Sequence, residues 1–222
     1  MPRLARVVIP GLPHHVTQRG NRRERVFFSD ADYAFYTDLI LTAAQKADCE
    51  VWAGCLMPNH VHMIIVPSDE DGLRRTFADA HRRYTARINA RLKVTGHLWQ
   101  GRFGSVAMDE AHLYEAVRYV ALNPVRAGLV SRARDWPWST TGLHLAGTDD
   151  RAFKAQPVLD RVGDFAAYID QIPPEEPDEW QALRRAETIG RPVGDDEWLS
   201  TLEAQTGRTL AAQRRGRKAR RA

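Results

Sequence analysis

The chain has 222 residues, with 32 Lys and Arg against 28 Asp and Glu and a formal net charge of +4. That length is enough for a proper core and holds one large domain or a domain with an appendage. No apolar run reaches membrane-spanning length and the N-terminus lacks a signal-peptide core, so the expected setting is the cytoplasm with no membrane partner.

In chain order, residues 14–18 follow Pro10-Gly11-Leu12-Pro13 and alternate weakly, which predicts a first strand, and residues 19–23 form a basic turn. Ser29 or Asp30 caps a helix carrying Phe35, Leu39, Ile40 and Ala43 on one face. Residues 50–56 form a second strand, turned by Met57-Pro58-Asn59 into a β-branched, apolar run that ends at Pro67. Cys49 and Cys55 fit neither a zinc pattern nor a disulfide framework and read as reduced core residues. A helix spans about 71–94, with Leu73, Phe77, Tyr84, Ile88 and Leu92 as its apolar stripe and many arginines elsewhere on it. A loop over 99–104 leads to a short strand, 105–108, and Asp109 caps a helix from 110 to about 122, stopped at Asn123-Pro124.

This order, β-α-β-β-α-β-α, predicts an α+β, ferredoxin-like palm with an antiparallel sheet. The expected division is a palm over 1–140, a linker or extension over 141–178, and a short helical appendage with a basic tail over 179–222, with helices at about 180–189 and 195–206. The appendage is too small for a core of its own unless it docks. The tail holds Arg214, Arg215 and Arg217 with no acidic or large apolar residue among 214–221.

The chemistry centres on His60-Val61-His62. On a strand, residues i and i+2 share a face, so the two imidazoles project side by side. They are either half-exposed histidines of an ordinary strand or a pair able to hold a divalent metal. Tyr119 and Asn123 lie one turn apart on the helix after the last strand. Tyr119 is either a core aromatic or, packed against the histidine-bearing sheet, a nucleophile; Asn123 is either a helix-stop residue or part of the same site. A phenol of pKa near 10 attacks a phosphate effectively when a metal polarises that phosphate. Tyr114 is a competing nucleophile without the turn relation to Asn123, and Tyr84 belongs to the apolar stripe of the basic helix.

His60-Val61-His62 after Met-Pro-Asn, Trp99-Gln100-Gly101-Arg102-Phe103, the run Tyr119 to Val125, the segment 14–22, and Trp136-Pro137-Trp138-Ser139 together resemble the single-tyrosine HUH transposases. Within these the chain is most similar to the REP-associated tyrosine transposases. The resemblance covers about residues 1–140. It implies Mg²⁺ or Mn²⁺ on His60 and His62, with Asn123 at the place of a third ligand. It also implies Tyr119 as the catalytic residue, cutting and rejoining single-stranded DNA near hairpins through a 5′-phosphotyrosine link. Partners would be single-stranded DNA with palindromic hairpins, in a nucleoid-associated setting, with the protein a monomer or homodimer. Two other readings are a DNA-binding protein that keeps the fold without catalysis and a metal-dependent hydrolytic nuclease.

For DNA contact the candidates are Arg19, Asn21 and Arg22 in the first turn, Arg82, Arg83 and Arg87 on the basic helix, Arg102 in the loop, and Arg214, Arg215 and Arg217 in the tail. Trp99 and Phe103 either stack on unpaired bases or plug the edge of the core.

Overall fold

In the computed structural model, which describes residues 6–171, 173 and 175–210, the strand alternation predicted from the sequence sorts two kinds of chemistry onto two faces of one sheet. Its strands are β1 (His14–Arg19), β2 (Cys49–Met57), β3 (His60–Pro67) and β4 (Gly104–Ala107), in the antiparallel order β2-β3-β1-β4. This is the α+β, ferredoxin-like arrangement expected from the element order. Register places Thr17 opposite His62 and Arg19 opposite His60. On the other side of β3, Cys55 lies opposite His62 and Met57 opposite His60. Residues directly opposite share a face, so His15, Thr17, Arg19, His60 and His62 all project to one side.

Helices α1 (Asp30–Lys46) and α2 (Gly72–Leu92) pack on the opposite face. There Val16, Val61, Met63 and Ile65 meet Phe27, Tyr36, Leu73, Phe77 and Tyr84 in a continuous apolar core. Each such large side chain, once fully buried, contributes roughly 1.5–3 kcal/mol of hydrophobic free energy. The start of α1 is fixed by Asp32, whose carboxylate accepts from the backbone N–H groups of Phe28 (2.9 Å) and Ser29 (3.1 Å). The same carboxylate, buried, takes the guanidinium of Arg91 from α2 at 2.7 Å and so ties the two helices together.

Helix α3 (Glu110–Arg126) covers the polar-bearing face. Asp109 caps it as expected, accepting from His112 N at 2.8 Å. Its end differs from the sequence expectation, because the helix runs through Asn123-Pro124 to Arg126. Proline removes one N–H and disfavours the α conformation of the preceding residue. Here the turn is held from beyond it, by Ala127 N to Asn123 O (3.0 Å) and Leu129 N to Pro124 O (2.9 Å).

Residues 136–140 return alongside β2, with Leu56 N donating to Trp138 O (2.8 Å) and Thr140 N to Gly54 O (2.9 Å). The region read from sequence as linker or extension holds three short helices, α4 (Thr141–Ala146), α5 (Gln156–Val162) and α6 (Phe165–Asp170). Phe165, Tyr168 and Ile169 are buried with the α3 core.

The appendage docks. Helix α7 (Asp178–Ile189) lies on α3 and β4, and Trp180 Nε1 donates to Glu115 O at 3.0 Å. Val193 pairs with the outer edge of β4. Helix α8 (Asp196–Thr206) places Leu202 against Val7, Ile9 and Ala107. Gly104 permits the close approach of α7, since a Cβ there would lie 3.0 Å from both Glu187 O and Thr17 Oγ1. The tail arginines Arg214, Arg215 and Arg217 lie outside the described residues. No described helix is long and apolar enough to cross a membrane.

Candidate active site

His60 and His62 leave β3 on the α3 side, His60 half-buried and His62 buried. Their rings meet edge to face at 4.9 Å. The Nδ1 of each has a partner within the chain: Asn59 Oδ1 at 2.6 Å for His60, and His15 Nε2 at 3.0 Å for His62. These bonds leave the Nε2 atoms as the nitrogens not engaged. A metal-binding imidazole characteristically uses one nitrogen for the metal and the other for an orienting hydrogen bond. Burial drives the His60 pKa down to about 3, with Arg19 adding to it. His62 falls well below its ordinary value, chiefly by burial and then by the neighbouring His60, His15 and Arg19. Both rings are therefore neutral at physiological pH, the form that ligates. The donor set fits a divalent cation.

Tyr119 is the tyrosine that faces them. Its ring lies 5.4 Å from that of His62 and 6.0 Å from that of His15, both edge to face. The two competing tyrosines are engaged elsewhere. Tyr114 packs on Tyr168 at 4.8 Å. Tyr84 is buried between α1 and α2, on the far side of the sheet, and donates to Val26 O at 2.7 Å. Burial raises the Tyr119 pKa and the Glu187 charge adds to this, while Arg126 opposes it. The Arg126 guanidinium sits over the Tyr119 ring, 4.5 Å from its centroid. Arg126 was missed in the sequence because the helix was expected to stop before it. Asn123 is buried one turn beyond Tyr119 on α3.

Helix α7 brings three side chains to the same place. Trp180 meets the Tyr119 ring at 5.5 Å, Arg184 brings a positive charge that lowers the Tyr119 pKa, and Glu187 reaches His15. As a result Tyr119 is only 5% exposed. Ligand atoms of His15, His62 and Glu187 lie within 4.8 Å of one another, the one such His/Cys/Asp/Glu cluster among the described residues. Burial pushes Glu187 up to about 7 and His15 down to about 4. The 3.6 Å approach of His15 Nδ1 to Glu187 Oε1 is therefore a contact of a neutral imidazole rather than an ion pair. Neither His15 nor Glu187 was singled out from sequence. Strand periodicity already puts His15 on the face of Thr17 and Arg19, but only the pairing of β1 with β3 shows that this is the face of His62. Glu187 has no local signal.

The residues expected to contact DNA do not all gather at this centre: those of the first turn and the 99–104 loop lie on its side, those of α2 on the other face of the sheet. Arg19 ends β1 opposite His60, and Asn21 and Arg22 follow in a 3₁₀ turn in which Arg22 has φ 55°. Arg6, Arg19 and Arg102 line one cavity of about 230 Å³ that Glu187 also reaches. Arg82, Arg83 and Arg87 lie on the outer surface of α2, where Arg82 and Arg83 share Asp79 at 2.6 and 3.8 Å and Arg87 covers the Phe35 ring at 4.3 Å. Trp99 is buried against Tyr36, His81 and Tyr84, so it plugs the core rather than offering a base platform, and Phe103 packs on Phe77.

The ferredoxin-like palm thus carries two histidines on a central strand with a helix-borne tyrosine against them. Residues 9–123 match the family described as Transposase IS200 like, and the chain belongs to that family of DNA-processing transposases. It is 26% identical to the REP-associated tyrosine transposase of Escherichia coli (strain K12) over 122 residues, 54% of this chain and 70% of that one. A Haemophilus influenzae protein provisionally assigned to the same group is 26% identical over 133 residues, 52% of this chain and 76% of that one. Among solved structures it is similar to a REP-associated tyrosine transposase bound to a REP hairpin, with a TM-score of 0.53 and 26% identity over 66% of this chain and 86% of the other.

Proposed function

We propose that this chain is a metal-dependent transposase that cuts and rejoins single-stranded DNA beside hairpins, with Tyr119 as nucleophile. The observation that carries the reading is the packing of the Tyr119 ring on His62, with the Arg126 guanidinium 4.5 Å from the same ring. His60 and His62, with Asn123 supplied by α3, would hold Mn²⁺ or Mg²⁺, and two imidazoles favour Mn²⁺. When bound, the cation would withdraw charge from the scissile phosphate.

The Tyr119 oxygen attacks phosphorus, the bond to the 3′-oxygen breaks, and a 5′-phosphotyrosine link forms. The phenol gives up its proton and the departing 3′-oxygen takes one up. Attack by another 3′-hydroxyl reverses these changes and rejoins a strand, so no water or nucleotide cofactor is consumed. The positive charges of Arg126 and Arg184, which lower the Tyr119 pKa, would stabilise negative charge on the tyrosyl oxygen. Because Tyr119 is 5% exposed, α7 must give way before a phosphate can reach it.

Phosphate contacts would come from Arg19, Asn21 and Arg22, from Arg102 beside the site, from Arg82, Arg83 and Arg87 on α2, and from the tail arginines Arg214, Arg215 and Arg217. The similar solved structure holds a REP hairpin, which supports hairpin-bearing DNA as the partner here. The protein would act in the cytoplasm at the nucleoid, as a monomer or homodimer.

The covered nucleophile favours a second reading, a DNA-binding protein that does not cut. One experiment separates the two. Full-length protein is incubated with a hairpin bearing single-stranded flanks and Mn²⁺, then run on a denaturing gel. A protein–DNA adduct that disappears in Tyr119→Phe supports the transposase. Binding without an adduct supports the second reading, and cleavage that survives Tyr119→Phe marks a hydrolytic nuclease.

A further inference from the structure

His15 is fully buried beside the site, and the proposed reaction gives it no task. It projects from β1 on the face of His60 and His62, and its ring lies nearly parallel to that of His62, at 5.1 Å and 4°. Its Nε2 meets His62 Nδ1 at 3.0 Å. Its Nδ1 points toward Glu187 Oε1 at 3.6 Å, and both of those atoms are buried with no hydrogen-bond partner. Unpaired buried polar atoms are costly, and here two of them lie about half an ångström beyond a normal hydrogen bond.

We propose that Glu187 and His15 form a relay that fixes the tautomer of His62, which makes His15 a positioning residue for the metal site; the inference rests on the proposed metal-dependent function. A neutral imidazole carries one ring proton, so its two nitrogens have opposite roles. With Glu187 accepting from His15 Nδ1–H, His15 Nε2 is left with a lone pair. That lone pair accepts from His62 Nδ1–H. His62 Nε2 then carries a lone pair, as a ligating nitrogen must. If His15 held its proton on Nε2 instead, it would donate to His62 Nδ1, and the His62 proton would move to Nε2 and block that nitrogen. Asn59 Oδ1, which can only accept, does the same for His60 through a 2.6 Å bond to Nδ1. The strand's two histidines are thus oriented by separate devices, one a local amide and the other a chain reaching to the appendage.

The test uses full-length protein labelled with ¹⁵N-histidine. Long-range ¹⁵N–¹H correlation of the metal-free wild type should show the His62 proton on Nδ1. His15→Ala and Glu187→Ala should move part of it to Nε2. A wild-type His62 protonated mainly on Nε2 would overturn the relay. In parallel, Mn²⁺ binding is followed by electron paramagnetic resonance. His15→Ala should weaken it about 10- to 100-fold, the usual cost of losing an orienting partner. His15→Gln, whose amide oxygen can accept the same bond, should recover most of the loss, which a purely packing role would not predict. Unchanged Mn²⁺ affinity in a folded His15→Ala overturns the proposal. Should the wild type bind no Mn²⁺, the metal-dependent function fails, while the metal-free spectra still decide the relay. If His15→Ala does not fold, the half-buried Glu187 carries the same test.

Discussion

The two faces of the sheet are made by the same strands and behave as different materials. On the α1/α2 side, Val16, Val61, Met63 and Ile65 meet other apolar groups and need no partners beyond contact. On the α3/α7 side, His15, Thr17, Arg19, His60 and His62 crowd together, and every buried nitrogen there must find a role. The first face is held by burial. The second has an apolar core of its own, with Met57, Ile64 and Leu113 in it, and holds the polar groups beside that core. Function should therefore respond to changes on one face and stability to changes on the other.

The largest expected effect is on the polar face. Tyr119→Phe should lower adduct formation at least about a thousandfold, as loss of a nucleophile does, while hairpin affinity stays within a few-fold. Tyr84→Phe, on the other face, should leave adduct formation intact; equal losses in both variants would erase the distinction between the faces. Next comes Leu73→Ala, fully buried against the apolar side. It should cost about 2–5 kcal/mol in urea unfolding, the range for such truncations. Mn²⁺ binding by the remaining folded protein should be unaltered, and a parallel loss of metal affinity would show that the faces are coupled.

Smaller is the effect of removing a single phosphate contact. Arg22→Ala should weaken DNA binding almost regardless of sequence and reduce the slope of log affinity against log salt by about 1. An unchanged slope would remove Arg22 from the interface. The smallest effect belongs to the Asp32–Arg91 link between α1 and α2. Burial alone would raise the Asp32 pKa, but the bonds from Arg91 and the Phe28 N–H outweigh it and hold the carboxyl below 3.8. A depressed folded pKa stabilises the protein above the unfolded value and is lost as pH falls through the folded one. Acid unfolding curves should therefore lose this contribution below about pH 3.8, and Asp32→Asn should flatten that part of the curve without touching DNA cleavage.

Much of this was legible in the sequence because it is local. The His60-Val61-His62 strand, the Asp109 cap and the turn relation of Tyr119 to Asn123 depend on periods of two and of 3.6 residues. What was hidden depends on topology. His15 matters because β1 happens to lie between β3 and β4. Glu187 matters because an appendage 68 positions beyond Tyr119 folds back over it, and no pattern near Glu187 announces that. Arg126 was lost to a sound local rule, since proline usually ends a helix and here does not. The short helices over 141–170 were obscured by Gly147 and Gly163, which cut their periodicity below recognisable length.

Gly104 carries a consequence for how such a chain can change. The seat of α7 is a missing methyl group on the edge strand of the palm, not a feature of the appendage. An alanine at 104 would press on Glu187 O from within the sheet, so the cover could be loosened without altering any residue of its own. A palm that acquires a side chain at that position would ask α7 to shift by a few tenths of an ångström, so the fit of the cover is set partly by the palm.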